Sequence, residues 1–262
     1  MTVNPFLSIA GFGMITTGLL AMILWWRRSK VEWKYFLMGA IVWVAAILVK
    51  AVMDLTVTTI LVEALNDFGI AIYLIIIGVY IGLRTGLLES GFSYFAALIR
   101  LRNIGWNEAF AFGIGFGGVE AIVLGLQNIS LLVFYFNPSL VELLPEAMQK
   151  QLSMPTIIVL APVLERVFTL AVHILTTLLA IYSAITGKFK YLMASIFYKT
   201  LLDGIVPALP YLFDITTVQG MYLAEAPIAA IGVTSFLIIR SLEKSIGDFK
   251  GCTHTRPSTP LK

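Results

Sequence analysis

An all-α, polytopic transmembrane bundle of seven helices, N-terminus outside and C-terminus cytoplasmic, is the fold this sequence predicts, and three observations predict it. The first is composition: 59% of the 262 residues are hydrophobic and 13% are charged. With a mean hydropathy of +0.91, the chain carries more apolar surface than a soluble domain of its size can hide. The second is that the apolar residues gather into seven runs of membrane-spanning length. The third is where the basic residues fall between those runs. One side receives Arg27, Arg28, Lys30, Lys34, Arg84, Arg100, Arg102, Lys188, Lys190, Arg240, Lys244, Lys250, Arg256 and Lys262, and the other receives Lys150 alone. The positive-inside rule therefore sets the orientation.

The first run, Phe6 to Trp26, has no Lys or Arg before it and four after it. A secretory signal has the opposite order and a shorter apolar core, so this run reads as a retained helix. Trp25 and Trp26 at its end suit an aromatic belt at the headgroups. The second run, Tyr35 to Met53, holds Lys50 near its outer end with Asp54 one turn on along the same helical face, which reads as a lysine that snorkels or pairs. The third, Phe68 to Leu83, ends at Arg84. Between Leu88 and Gly105, aromatic and basic residues alternate in a way that reads as an interfacial helix on the basic side, or as a connecting helix.

The fourth run, Asn107 to Leu126, contains GIGFGG. With no preceding strand and membrane-apolar flanks this is no nucleotide fingerprint. Gly113 and Gly117 instead permit close helix contact, which would place Glu120 in the centre of the bundle. Pro138 and Pro145 break the following loop. The fifth run, Pro155 to Ala184, is expected to kink at Pro162. The sixth runs from Tyr191 to Leu209 and the seventh from Met221 to Ile239. Residues 1–245 thus form one transmembrane domain, and residues 246–262, rich in Ser, Thr and Pro, read as a disordered cytoplasmic tail. Cys252 and His254 lie in that tail without a ligand cluster. A single cysteine also excludes an intrachain disulfide.

Runs four to six carry ionisable groups that apolar runs rarely hold: Glu120, then Glu165, Arg166 and His173, then Lys199 and Asp203. Each costs about 2.5–3.5 kcal/mol at mid-membrane when unpartnered, so such groups face the bundle interior and mark function by default. The three helices read as one polar site. Mutual ion pairs, Arg166 with a glutamate and Lys199 with Asp203, account for the same residues as structural groups.

At these positions GIGFGGVEA, ERVFTLAVH and YKTLLDG resemble the three motifs of the YhfC family of glutamic-type intramembrane proteases, whose pattern reads GHGGxEA, ERxxxxxxH and HxxxD. The resemblance covers about a third of the chain. It implies Glu120, Glu165, Arg166, His173 and Asp203 as catalytic site residues. It also implies membership of the CAAX prenyl endopeptidase clan, which includes the anterior pharynx-defective subunit of gamma-secretase, a non-catalytic scaffold. Two positions depart from the pattern: Phe116 and Lys199 stand where histidines are expected, which counts against a histidine-rich metal site.

The expected activity is endopeptidase cleavage within the membrane, with Glu120 or Glu165 deprotonating a water and His173 orienting it or steadying the oxyanion. Lys199 would act as a donor or neutralise Asp203. No cofactor is called for, and a divalent metal stays an open alternative. The expected partners are membrane lipids and a membrane-embedded or membrane-anchored peptide, or else a partner transmembrane helix; no nucleic acid is expected. An inactive scaffold and an ion-coupled transporter are the competing readings, the latter weakened by the lack of an internal repeat. A prokaryotic plasma membrane suits the simple topology.

Overall fold

The computed structural model describes residues 3–246, all of them helix, turn or irregular, with no strand among them. Seven long helices follow one another: α1 Ile9–Ser29, α2 Trp33–Met53, α3 Ile70–Arg100, α4 Trp106–Ser130, α5 Leu160–Thr186, α6 Lys190–Ile205 and α7 Val218–Ile246. Each belongs to a segment long and apolar enough to cross a membrane, which bears out the predicted all-α class with seven membrane-spanning helices. The predicted tail lies outside the described residues apart from Ile246, the last residue of α7. Cys252 and His254 also lie outside them.

Caps and turns end the helices where the sequence allows. Gly187 closes α5 at φ 70°, a left-handed position suited to a residue without Cβ. The Gly105 N–H donates to the Glu108 carboxylate (3.0 Å) at the start of α4, satisfying an amide that the first turn leaves free.

Burial identifies α4 as the central helix: 61% of its most apolar window is inside the bundle, against 22–44% in the other six spans. Its glycines explain how. A Cβ on Gly115 would lie 2.0 Å from the Phe36 carbonyl oxygen of α2, and one on Gly117 would lie 2.9 Å from His173 Cβ of α5. Backbones this close exclude any side chain, the packing that small residues permit between membrane helices. A similar seam joins α3 to α6, where Gly82 faces the Thr200 carbonyl and Gly86 that of Ile196. Helix α5 touches α1, α3, α4, α6 and α7, so it is the hub on which a shared site can form.

Several boundaries differ from the predicted ones. Helix α3 does not end near Leu83 with a separate interfacial helix after it; it runs unbroken to Arg100. Of the polar residues that made the second half look interfacial, Ser93 points inward beside the buried Glu89 and Ser90, while Arg100 and Arg102 are exposed, as are Phe95 and Ile99 on the outer face. Pro162 does not kink a helix, because α5 begins at Leu160 and Pro162 falls in its first turn, where a missing N–H costs nothing. Lys50 does not pair with Asp54. It reaches across the bundle to Glu89, and Asp54 pairs instead with Arg84. The second span continues past Met53 through a π-helical turn at Asp54–Thr58 into Thr59–Ala64. Helix α7 exceeds the predicted Met221 to Ile239 at both ends.

Candidate active site

Where α5 meets α3, α4 and α6, the charged residues form one connected network. Glu120 projects from the glycine-lined face of α4 because Gly117, three residues earlier, lets α5 come close enough for His173 and Arg166 to reach it. Arg166 Nη1 donates to Glu120 Oε1 (2.9 Å), and Trp43 Nε1 of α2 donates to Glu120 Oε2 (2.8 Å). His173 Nε2 lies 3.0 Å from the same Oε2. Both oxygens of Glu120 are thus engaged. The other guanidinium nitrogen of Arg166, Nη2, donates to Glu165.

A second half of the network surrounds Glu89. Lys50 Nζ donates to Glu89 Oε1 (2.5 Å), and Lys199 Nζ lies 3.2 Å from Oε2, close enough for an ion pair though badly angled for a hydrogen bond. Lys199 also stands 3.4 Å from His173 Nε2 and 3.8 Å from Asp203 Oδ2. His173, Lys199, Glu89 and Arg166 are all at most 6% exposed. In so dry a place an unpaired charge is costly, and the pairing of each is what lets the helices hold it.

The predicted residues Glu120, Glu165, Arg166, His173 and Asp203 therefore come together, Asp203 only at the margin. Lys199 was expected on Asp203, but the carboxylate nearest to it is Glu89. Sequence reasoning missed Glu89 and Trp43, and it recognised Lys50 without its true partner. The available signal was the cluster of small residues from Gly86 to Ser93, which mark a helix face in close contact.

Beside the network, a cavity of about 330 Å³ lies among the start of α1, the end of α4, the connector after it, the start of α5 and α7. Its lining is mostly apolar, including Leu7, Phe134, Met148 and Met221, with Glu165 and Glu225 as its two carboxylates. Glu225 was not anticipated. Among the described residues it forms no ion pair, and its Oε2 has no hydrogen-bond partner. Glu165 is held by Arg166 on one oxygen only. A mostly apolar hollow with a few convergent polar groups is the usual form of a small-molecule or substrate site.

A family model described as YhfC intramembrane metalloprotease matches residues 13–228. The chain belongs to the YhfC family. A YhfC relative from Bacillus subtilis (strain 168), named an uncharacterized membrane protein, is 30% identical over 148 residues, 51% of this chain and 57% of that protein. The match thus spans little more than half the length of that curated relative. No solved structure matches. The family description names a metal, and the donors of this YhfC chain do not fit one. A zinc site needs three or four nitrogen, sulfur or carboxylate ligands about 2.0–2.3 Å from one point. Among the described residues no group of three His, Cys, Asp or Glu side chains is arranged to hold an ion. The Lys199 ammonium stands instead between His173 and Glu89.

Proposed function

We propose that this chain is an intramembrane endopeptidase in which Glu165 activates a water for attack on a peptide bond of a membrane-embedded or membrane-anchored substrate. The observation that carries this reading is the placement of Glu165, with one carboxylate oxygen on Arg166 and the side chain in the wall of the 330 Å³ cavity. Glu120 was the other candidate base. Its two oxygens already accept from Arg166 and Trp43 and lie against His173, which favours a supporting role.

In the proposed step Glu165 takes a proton from water as the hydroxide oxygen bonds to the carbonyl carbon. The Arg166 Nε–H, which has no hydrogen-bond partner among the described residues, is a spare donor on the residue that holds Glu165 and would serve the oxyanion. The C–N bond then breaks, and the leaving nitrogen takes a proton from Glu225. The proton that Glu165 took from water passes to Glu225, which restores both carboxyls, and the second proton of the attacking water leaves with the carboxyl product. Arg166, fixed by Glu120, keeps Glu165 in place.

The charge asymmetry supports an orientation with the N-terminus outside, the C-terminus in the cytoplasm and this cavity towards the outer side, and the Bacillus subtilis relative supports a prokaryotic plasma membrane. A scaffold reading keeps one observation in its favour: each charge around Glu120 and Glu89 has a partner and so a structural use.

Purified protein in lipid should cleave members of a panel of membrane-anchored peptides, and Glu165→Gln should lower the rate about 10²–10⁴-fold, as loss of a general base does. Full activity in the folded Glu165→Gln protein would end this assignment. No cleavage of any peptide by well-folded wild type, with stable co-purification of another membrane protein, would establish the scaffold.

A further inference from the structure

We propose that Lys199 is a built-in cation that replaces a divalent metal, and that Lys199 and Phe116 together close the Glu120–His173–Glu89 cluster to metal ions. Its meaning for catalysis rests on the hydrolase reading above, but its test does not.

The geometry points to two substitutions of role. Phe116 and Glu120 are one turn apart on the same face of α4. The Phe116 ring is buried, and its centroid lies 5.3 Å from that of His173. Two imidazoles on one tetrahedral metal, with bonds of about 2.0–2.1 Å, have their ring centres about 5 Å apart. Phe116 therefore fills the volume of a ligand ring while offering no lone pair.

Lys199 fills the other role. Its ammonium faces His173 Nε2 at 3.4 Å, Glu89 Oε2 at 3.2 Å and Asp203 Oδ2 at 3.8 Å, the groups that would otherwise converge on a cation. An ammonium has three donors and no acceptor, so it supplies positive charge to all three and bars a second cation by repulsion. Lys50 on Glu89 Oε1 and Arg166 on Glu120 Oε1 remove two further oxygens from any metal shell. Four carboxylates, Glu89, Glu120, Glu165 and Asp203, are thereby set against three fixed cations and one imidazole with no ion added.

The test is metal content and cobalt titration of the full chain in detergent or lipid, using wild type, the Phe116→His/Lys199→His double variant, and that double variant carrying Glu120→Gln. Wild type should carry no stoichiometric metal, show no ligand-field absorption with Co²⁺, and keep its melting temperature in chelator. The double variant should bind one Co²⁺ more than about a hundredfold tighter than wild type, since outer-shell partners alone are worth 10–100-fold in metal affinity. Glu120→Gln should reverse that gain. Wild type holding one equivalent of zinc, with the metal lost on Glu120→Gln, would overturn the proposal. So would a folded double variant that binds no tighter than wild type. Should the double variant not fold, the wild-type measurements decide alone. Cleavage enters none of these readouts, so absence of protease activity would count against the proposed function and leave this inference standing.

Discussion

Glu120 and Glu165 share one guanidinium yet live in different surroundings. Arg166 sits between them, with Nη1 on Glu120 and Nη2 on Glu165. Glu120 also accepts from Trp43 and lies against His173, inside the seam of α2, α4 and α5. Among the described residues Glu165 has no donor besides Arg166, and it lines the apolar cavity. Two glutamates from different motifs, joined by one arginine, are separated in this way by what else reaches them. A carboxylate with every oxygen engaged fixes helices, and one with an oxygen left over is placed to hold a water.

Removing the shared partner should break both halves at once. Arg166→Met leaves Glu120 and Glu165 without their guanidinium, and loss of one member of a buried ion pair costs about 3–5 kcal/mol. Chemical unfolding in mild detergent should show this as the largest loss among the charge variants, with cleavage abolished. A variant as stable as wild type would mean that water already solvates this region.

Separating the two glutamates gives a smaller but sharper test. Glu120→Gln should cost about 1.5–3 kcal/mol, the range for hydrogen bonds to charged groups, because it weakens contacts to Arg166 and His173 together. Glu165→Gln should cost less than about 1 kcal/mol, since its side chain keeps 24% exposure and has one partner. Equal losses in the same unfolding experiment would erase the distinction between a framework glutamate and a working one.

The parts of this arrangement that were legible in the sequence are those with a local signature. An ionisable residue inside an apolar run stands out from its neighbours, which is why Glu120, Glu165, Arg166, His173, Lys199 and Asp203 could be singled out. Glycine spacing on α4 foretold close contact with α5, and Gly113 and Gly117 do face that helix. Glu89 was hidden because Ser93, Arg100 and Arg102 gave its stretch the polarity of a membrane surface, whereas only the arginines face outward and Glu89, Ser90 and Ser93 face inward. The partner of Lys50 was misjudged for a related reason. Helical spacing favours Asp54, and only packing of α2 against α3 brings Glu89 within 2.5 Å. Glu225 was passed over near the predicted start of a helix, where a carboxylate needs no special account. Contacts between helices distant in sequence leave no such local trace, and the Phe116 contact with His173 is of this kind.

The smallest expected effect isolates burial as the cause of these differences. On the connector after α4, Lys150 pairs with Glu146 at 2.8 Å, nearly the distance of Arg166 from Glu120, but in full exposure. The Lys150 hydrogen bond holds the Glu146 carboxyl below its usual range, and Glu146 raises the Lys150 amine. Any stabilisation from the depressed carboxyl is present above the unfolded-state pKa and fades as pH falls through the folded one. That from the raised amine is present below its unfolded-state pKa and fades as pH rises through its folded one. The pair therefore acts only between the carboxylate and amine ranges, and there solvent and salt screen it. Lys150→Ala should leave the melting temperature unchanged at neutral pH, at low and high salt alike. A loss approaching that of Arg166→Met would mean that separation alone sets the strength of these pairs, and the contrast between Glu120 and Glu165 would then lose its physical basis.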